Sequence, residues 1–147
     1  MKKRFLLLFI SSWIVLMGCS AKAMGQNDST GQTLPPCGTK PNCVSSQSTS
    51  ERHRTEPFRL DGSGPAAIKK LQTIISALPG TTIIEADDLF LHAEFKSRLF
   101  GFVDDVAFLA NEKEGRVEVR SASRTGYYDF GVNRRRVEQL RRLYKEK

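Results

Sequence analysis

The sequence predicts an α+β domain: an antiparallel sheet of about five strands with two helices packed on one face, in the order β-α-β-β-β-β-α. Three observations lead there. Residues 89–96 and 116–123 alternate apolar and polar side chains, the period of a strand with one face covered. Residues 66–78 and 133–147 carry apolar residues at helical spacing. Short turns separate the strand candidates, and short turns join antiparallel neighbours.

Taken in order, residues 1–18 read as a lipoprotein signal peptide. Met1, Lys2, Lys3 and Arg4 form a basic start, and residues 5–15 are apolar apart from Ser11 and Ser12. Leu16-Met17-Gly18-Cys19 then resembles a lipobox, which makes Cys19 the lipidated first residue of the mature chain. The other reading is an ordinary signal cut after Ala21 or Ala23. By bacterial sorting logic, Ser20 directs the chain to the outer membrane, facing the periplasm. Residues 19–34 are polar and rich in Gly, Ser, Thr and Asn, so they read as a flexible tether of roughly 20 Å root-mean-square span. Residues 35–147 form a single domain, a length that suits one core.

The region 35–47 is turn-rich, with prolines, Gly38 and Asn42. If Cys19 carries lipid, Cys37 and Cys43 are the remaining thiols in an oxidising compartment, and a disulfide is the default. Free thiols or a redox or metal centre are the alternatives, although the spacing matches neither C-x-x-C nor a zinc pair. Residues 55–61 form a short strand that Pro57 confines to an edge. Ser63 or Gly64 caps the first helix, Pro65 starts it, and Ile68, Leu71, Ile74 or Ile75, and Leu78 make its buried stripe. Pro79-Gly80 stops it.

Thr81 to Glu85 is β-branched, and Asp87-Asp88 turns the chain. The next strand points Leu89, Leu91, Ala93 and Phe95 inward and His92, Glu94 and Lys96 outward. Residues 102–109 and 117–123 form a hairpin around a loop at 111–115. In its second arm Val117, Val119, Ser121 and Ser123 share one face, and Arg116, Glu118, Arg120 and Ala122 the other. Val137, Leu140 and Leu143 are the buried stripe of the last helix.

That helix poses the functional question. It opens with Asn133, Arg134, Arg135 and Arg136, where the dipole already supplies roughly half a positive charge. A compensating anion is needed. Arg120, Arg124, Asn133 and Arg134, with the free N–H groups of the first turn, describe a candidate anion-binding patch. The alternative is internal neutralisation, with Asp104, Asp105, Arg98 and Asp129 as the ion-pair candidates. Asp129 also reads as the cap of the helix.

Catalytic patterns are sparse. Asp104 and Asp105 are neighbours on a strand and face opposite sides, so they cannot form a dyad without a bulge. His92 reads as a solvated or hydrogen-bonded side chain. Two histidines assemble no Ser-His-Asp, H-E-x-x-H or Cys/His metal spacing, and no dinucleotide fingerprint or P-loop is present, so no cofactor or metal is implied. The formal charge is +7, of which Lys2, Lys3 and Arg4 supply three. The mature excess is modest, and nucleic acid is not a partner in an envelope compartment. A basic surface there meets anionic lipid head groups, envelope polymers or an acidic protein.

Four segments, PNCVSSQ at 41–47, FKSRLFGFVDDV at 95–106, VRSASRTGY at 119–127 and DFGVNRRRVE at 129–138, resemble the bacterial and plastid domain of unknown function 1499. The resemblance spans roughly residues 36–143. Family members often carry Asp-Ser before Pro-Asn-Cys, whereas Gly38-Thr39-Lys40 stands here and removes an acidic group from that loop. The resemblance implies secreted, envelope or plastid placement and brings no activity. The first functional expectation is therefore a lipid-anchored, non-catalytic binding domain with an anion-binding basic patch, held to the membrane through Cys19. The second is an envelope hydrolase using Asp104 or Asp105 with Ser45, Ser121 or Ser123.

Overall fold

The computed structural model describes residues 33–146, so the signal peptide, Cys19 and nearly all of the tether lie outside the described residues. Eight elements follow one another: β1 (Cys43–Ser45), β2 (Phe58–Arg59), α1 (Gly64–Ser76), β3 (Thr81–Ala86), β4 (Phe90–Lys96), β5 (Val103–Asn111), β6 (Arg116–Ser123) and α2 (Val132–Glu146). The sheet is antiparallel, in the order β1-β6-β5-β4-β3, with β2 also on β6. It has six strands where about five were expected. The additional one is β1, a three-residue strand inside the turn-rich segment.

Pairing follows the alternation. Asp104 lies opposite Ser123, Val106 opposite Ser121 and Phe108 opposite Val119. Ala93 meets Val106, and Leu91 meets Phe108. These even positions of β5 face both helices and build the main core with Ile68, Leu71, Ile75, Val137, Leu140 and Tyr144. Phe58 stands edge-on to Phe108 at 5.4 Å and to Tyr144 at 5.6 Å, locking β2 under α2. The edge position set by Pro57 is thus shared. β1 pairs the last part of β6 and β2 pairs its first part.

Ser63 caps α1 through its hydroxyl to the Ala66 N–H, and Pro65 occupies the first turn. Gly80 has φ +75°, and a Cβ there would sit 2.7 Å from the Lys96 carbonyl. A glycine is therefore needed to start β3 beside the end of β4.

The outward sheet face is partly covered. Leu34, at the end of the segment read as tether, packs with Phe90, Ala107 and Leu109 in a second small cluster. His92, expected on a polar outward face, is buried there as well.

Candidate functional site

Asp104 and Asp105 face opposite sides of the sheet, and each has its own cation. On the helix side Arg136 reaches Asp104 from the first turn of α2. The same guanidinium donates to Ser121 Oγ (3.1 Å) and Asn133 Oδ1 (2.8 Å). It also lies over the Phe95 ring, 4.9 Å from its centroid. Asn133 is fully buried. Its two amide N–H groups are shared among the Asn42 carbonyl (3.1 Å), Ser123 Oγ (2.9 Å) and Asp129 Oδ2 (2.8 Å), and Ser121 donates to its carbonyl oxygen (2.6 Å). This network is connected at every member, the condition under which buried polar groups fix a single packing. It pins α2 to β6 and to the start of β1.

Asp129 caps α2. Its carboxylate accepts from the Gly131 N–H (2.9 Å) and the Asn133 N–H (3.0 Å). Burial pushes the Asp129 pKa up, but these backbone donors outweigh it and hold the carboxyl below its usual value. The helix N-terminus is therefore already occupied by an internal anion. Arg134 donates to the Arg54 carbonyl (2.8 Å) and the Arg52 carbonyl (3.0 Å), and Arg135 to the Phe130 carbonyl (2.8 Å). Those bonds orient the guanidinium groups and leave their charges unneutralised.

On the other face Asp105 accepts a two-pronged bond from Arg124, Nε to Oδ2 (2.8 Å) and Nη2 to Oδ1 (2.7 Å). His92 donates from Nε2 to Asp105 Oδ1 (2.8 Å), and Arg124 also contacts Glu94. Burial raises the Asp105 pKa, and the bonds and charges of Arg124 and His92 more than reverse it, so the group stays ionised. Hydrogen bonding to Asp105 and Glu94 in turn holds Arg124 in its charged form. Arg120 shares this face. Its Nε is buried without a hydrogen-bond partner among the described residues, and burial pushes its pKa down.

The four anion-site candidates are thus not brought together. Arg120 and Arg124 lie on the outward face, Asn133 is inside the helix-side network, and Arg134 is at the helix edge. Of the ion-pair candidates, Asp104 and Asp105 are paired, Asp129 acts as a cap, and Arg98 forms none of the ion pairs found among the described residues. The candidate hydroxyls have structural partners. Ser45 Oγ accepts from the Gln47 N–H (3.2 Å), while Ser121 and Ser123 belong to the Asn133 network. His53 donates from Nδ1 to the Cys43 carbonyl (2.9 Å). Cys37 and Cys43 form the disulfide. Among the described residues no three His, Cys, Asp or Glu side chains are grouped to hold a metal ion.

Another feature was not anticipated. Six large apolar or aromatic side chains lie exposed on two loops at one end of the sheet. The β4–β5 loop presents Leu99, Phe100 and Phe102, with Phe100 and Phe102 stacked at 5.7 Å. The β6–α2 loop presents Tyr127, Tyr128 and Phe130, with Tyr128 and Phe130 at 5.0 Å. The Arg124 N–H donates to the Val103 carbonyl (3.1 Å) and ties the bases of the two loops together. The disulfide loop joins the same end, since Asn42 donates to the Gly126 carbonyl (3.0 Å). Phe130 has φ +53°, a conformation uncommon outside glycine, and the ring is held 76% exposed.

The profile of the family described as a protein of unknown function (DUF1499) matches residues 33–143. The chain belongs to this family. No curated protein and no solved structure gives a significant match. In this DUF1499 domain the four sequence segments that carry the resemblance are neighbours in space. They form β1 with its preceding loop, the β4–β5 loop with the start of β5, the end of β6 with the loop after it, and the first turns of α2 with the residues leading into them. The signal that could have revealed the end was the density of Phe, Tyr and Leu beside Gly101, Gly126 and Gly131, where periodicity assigns no strand or helix.

Proposed function

We propose that this domain is a non-catalytic interaction module of the cell envelope, carried on a lipid attached to Cys19 and sorted to the outer membrane, facing the periplasm. The observation that carries the reading is the aromatic end, where Leu99, Phe100, Phe102, Tyr127, Tyr128 and Phe130 stand in solvent on two tied loops. Exposed apolar side chains gathered at one end of a fold mark binding sites. An anionic ligand meets the cations of that end, Lys40, Lys96, Arg98, Arg134 and Arg135, rather than Arg124, which is engaged by Asp105 and Glu94. The hydrolase reading loses its support. Asp105 is engaged by Arg124 and His92 and Asp104 by Arg136, while Ser45, Ser121 and Ser123 bond other groups, so neither carboxylate is bonded to a candidate nucleophile. The depressions lined by the residues around Asp129, Tyr144 and His53 include neither carboxylate.

The test of the anchor is the mass of the N-terminal peptide of the mature chain. A diacylglycerol-modified Cys19 is expected. An unmodified peptide beginning beyond Cys19 contradicts the anchor.

A further inference from the structure

We infer that the aromatic end docks on an anionic lipid bilayer, with the β4–β5 and β6–α2 loops entering the headgroup region. The inference rests on the reading of the chain as a membrane-held interaction domain and names the partner of its exposed end. Leu99 is 82%, Phe100 71% and Phe130 76% exposed. Aromatic side chains on loops suit the membrane interface, where rings sit at headgroup depth and Tyr hydroxyls stay wet.

Charge selects the kind of surface. Lys40, Lys96, Arg98, Arg134 and Arg135 border these loops, and none takes part in an ion pair among the described residues. The carboxylates of the same region are already engaged. Asp104 is held by Arg136, Asp105 and Glu94 by Arg124, and Asp129 by the helix N-terminus. The end is therefore apolar at its tips and positive around them, the complement of an anionic leaflet.

The anchor permits this orientation. Leu34 packs beside Phe90 and Leu109, which pair at the end of β4 remote from Lys96. The docked end is thus about one strand length from the point where the described chain begins, roughly 20–25 Å for seven residues. The stretch from Cys19 to Thr33 reaches at most roughly 45–50 Å. That contour length exceeds the separation, so the lipid and the loops can share one leaflet.

The test uses the full chain bound to vesicles of phosphatidylglycerol and phosphatidylethanolamine with brominated acyl chains. Phe100→Trp reports on the docked end, and Lys113→Trp reports on the β5–β6 loop at the opposite end. Trp13, the one tryptophan of the sequence, is removed with residues 1–18 when Cys19 is lipidated, so each introduced Trp is the only one in the anchored chain. Docking predicts a blue-shifted, bromine-quenched signal from Phe100→Trp and none from Lys113→Trp. Arg98→Gln or Lys96→Gln should lower the ratio of docked to undocked domains roughly fivefold each. Flotation of the vesicles reads the anchor separately. Chains that float without quenching at Phe100→Trp overturn the docking and leave the anchor standing, as would a surface reserved for a protein partner. Quenching with Cys19 unmodified upholds docking and overturns the anchor. Equal quenching at both ends, or equal quenching on neutral phosphatidylcholine vesicles, also overturns the proposal.

Discussion

Replacing Arg136 with methionine strips Asp104 of its cation and removes one donor each from Ser121 Oγ and Asn133 Oδ1, which keep only the bond between them. Both charged side chains are close to nine-tenths buried, so the cost is that of an uncompensated buried charge, about 3–5 kcal/mol. Urea denaturation of Arg136→Met measures it, and Asp104→Asn in the same background should recover part of the loss through coupling. Arg124 is more exposed, and solvent screens its bond to Asp105. Arg124→Gln should therefore cost only about 1–2 kcal/mol at neutral pH. Its signature is in the acid limb. Asp105 has a folded pKa below its unfolded value near 4, so its contribution is present above about pH 4 and fades as pH falls through the lower folded value. Without Arg124 burial is opposed by His92 alone and the folded pKa rises. Stability should then begin to fall at higher pH than in the wild type, and melts between about pH 3 and pH 6 will show it. At this scale the sequence was legible in part. The opposed faces of Asp104 and Asp105 follow from strand alternation alone. Which arginine meets which aspartate does not, because Arg136 and Asp104 meet across an element boundary 32 residues apart.

The two helices and the four long strands were legible because each repeats its period enough times to read. Ile68, Leu71, Ile74 and Ile75 give the face of α1, and Val137 and Leu140 that of α2. β1 was not legible. Three residues, Cys43–Ser45, show no period, and the strand exists because β6 offers it a ladder from Arg120 to Ala122. The covered outward face was hidden for a related reason, since Leu34 is a single apolar residue at the end of a polar run. The Cys37–Cys43 disulfide closes a short loop just before β1. In the chain-entropy view such a loop contributes about 2–2.5 kcal/mol. Cys37→Ser with Cys43→Ser should lower stability by about that amount in calorimetry or denaturant titration. Thiol labelling of the denatured, unreduced wild type should find neither cysteine reactive, and labelling of both would contradict the bridge.

At the scale of the whole molecule, the fold separates stability from contact. The core, the Asn133 network and the paired aspartates hold the sheet to its helices, while the aromatic and basic loops at one end contribute little burial to the fold. Periodicity finds cores, so the exposed end escaped it, and only the geometry of β4, β5 and β6 gathers its side chains in one place. Local stability should mirror that division, since loops with few buried contacts open and exchange readily until something covers them. Hydrogen exchange of the full, lipid-anchored chain on phosphatidylglycerol vesicles addresses this most directly. Amides in residues 97–102 and 126–131 should slow on the vesicles relative to detergent, while those in residues 112–115 at the far end exchange at unchanged rates. Unchanged exchange in both aromatic loops, or equal slowing at the two ends of the sheet, would contradict the account.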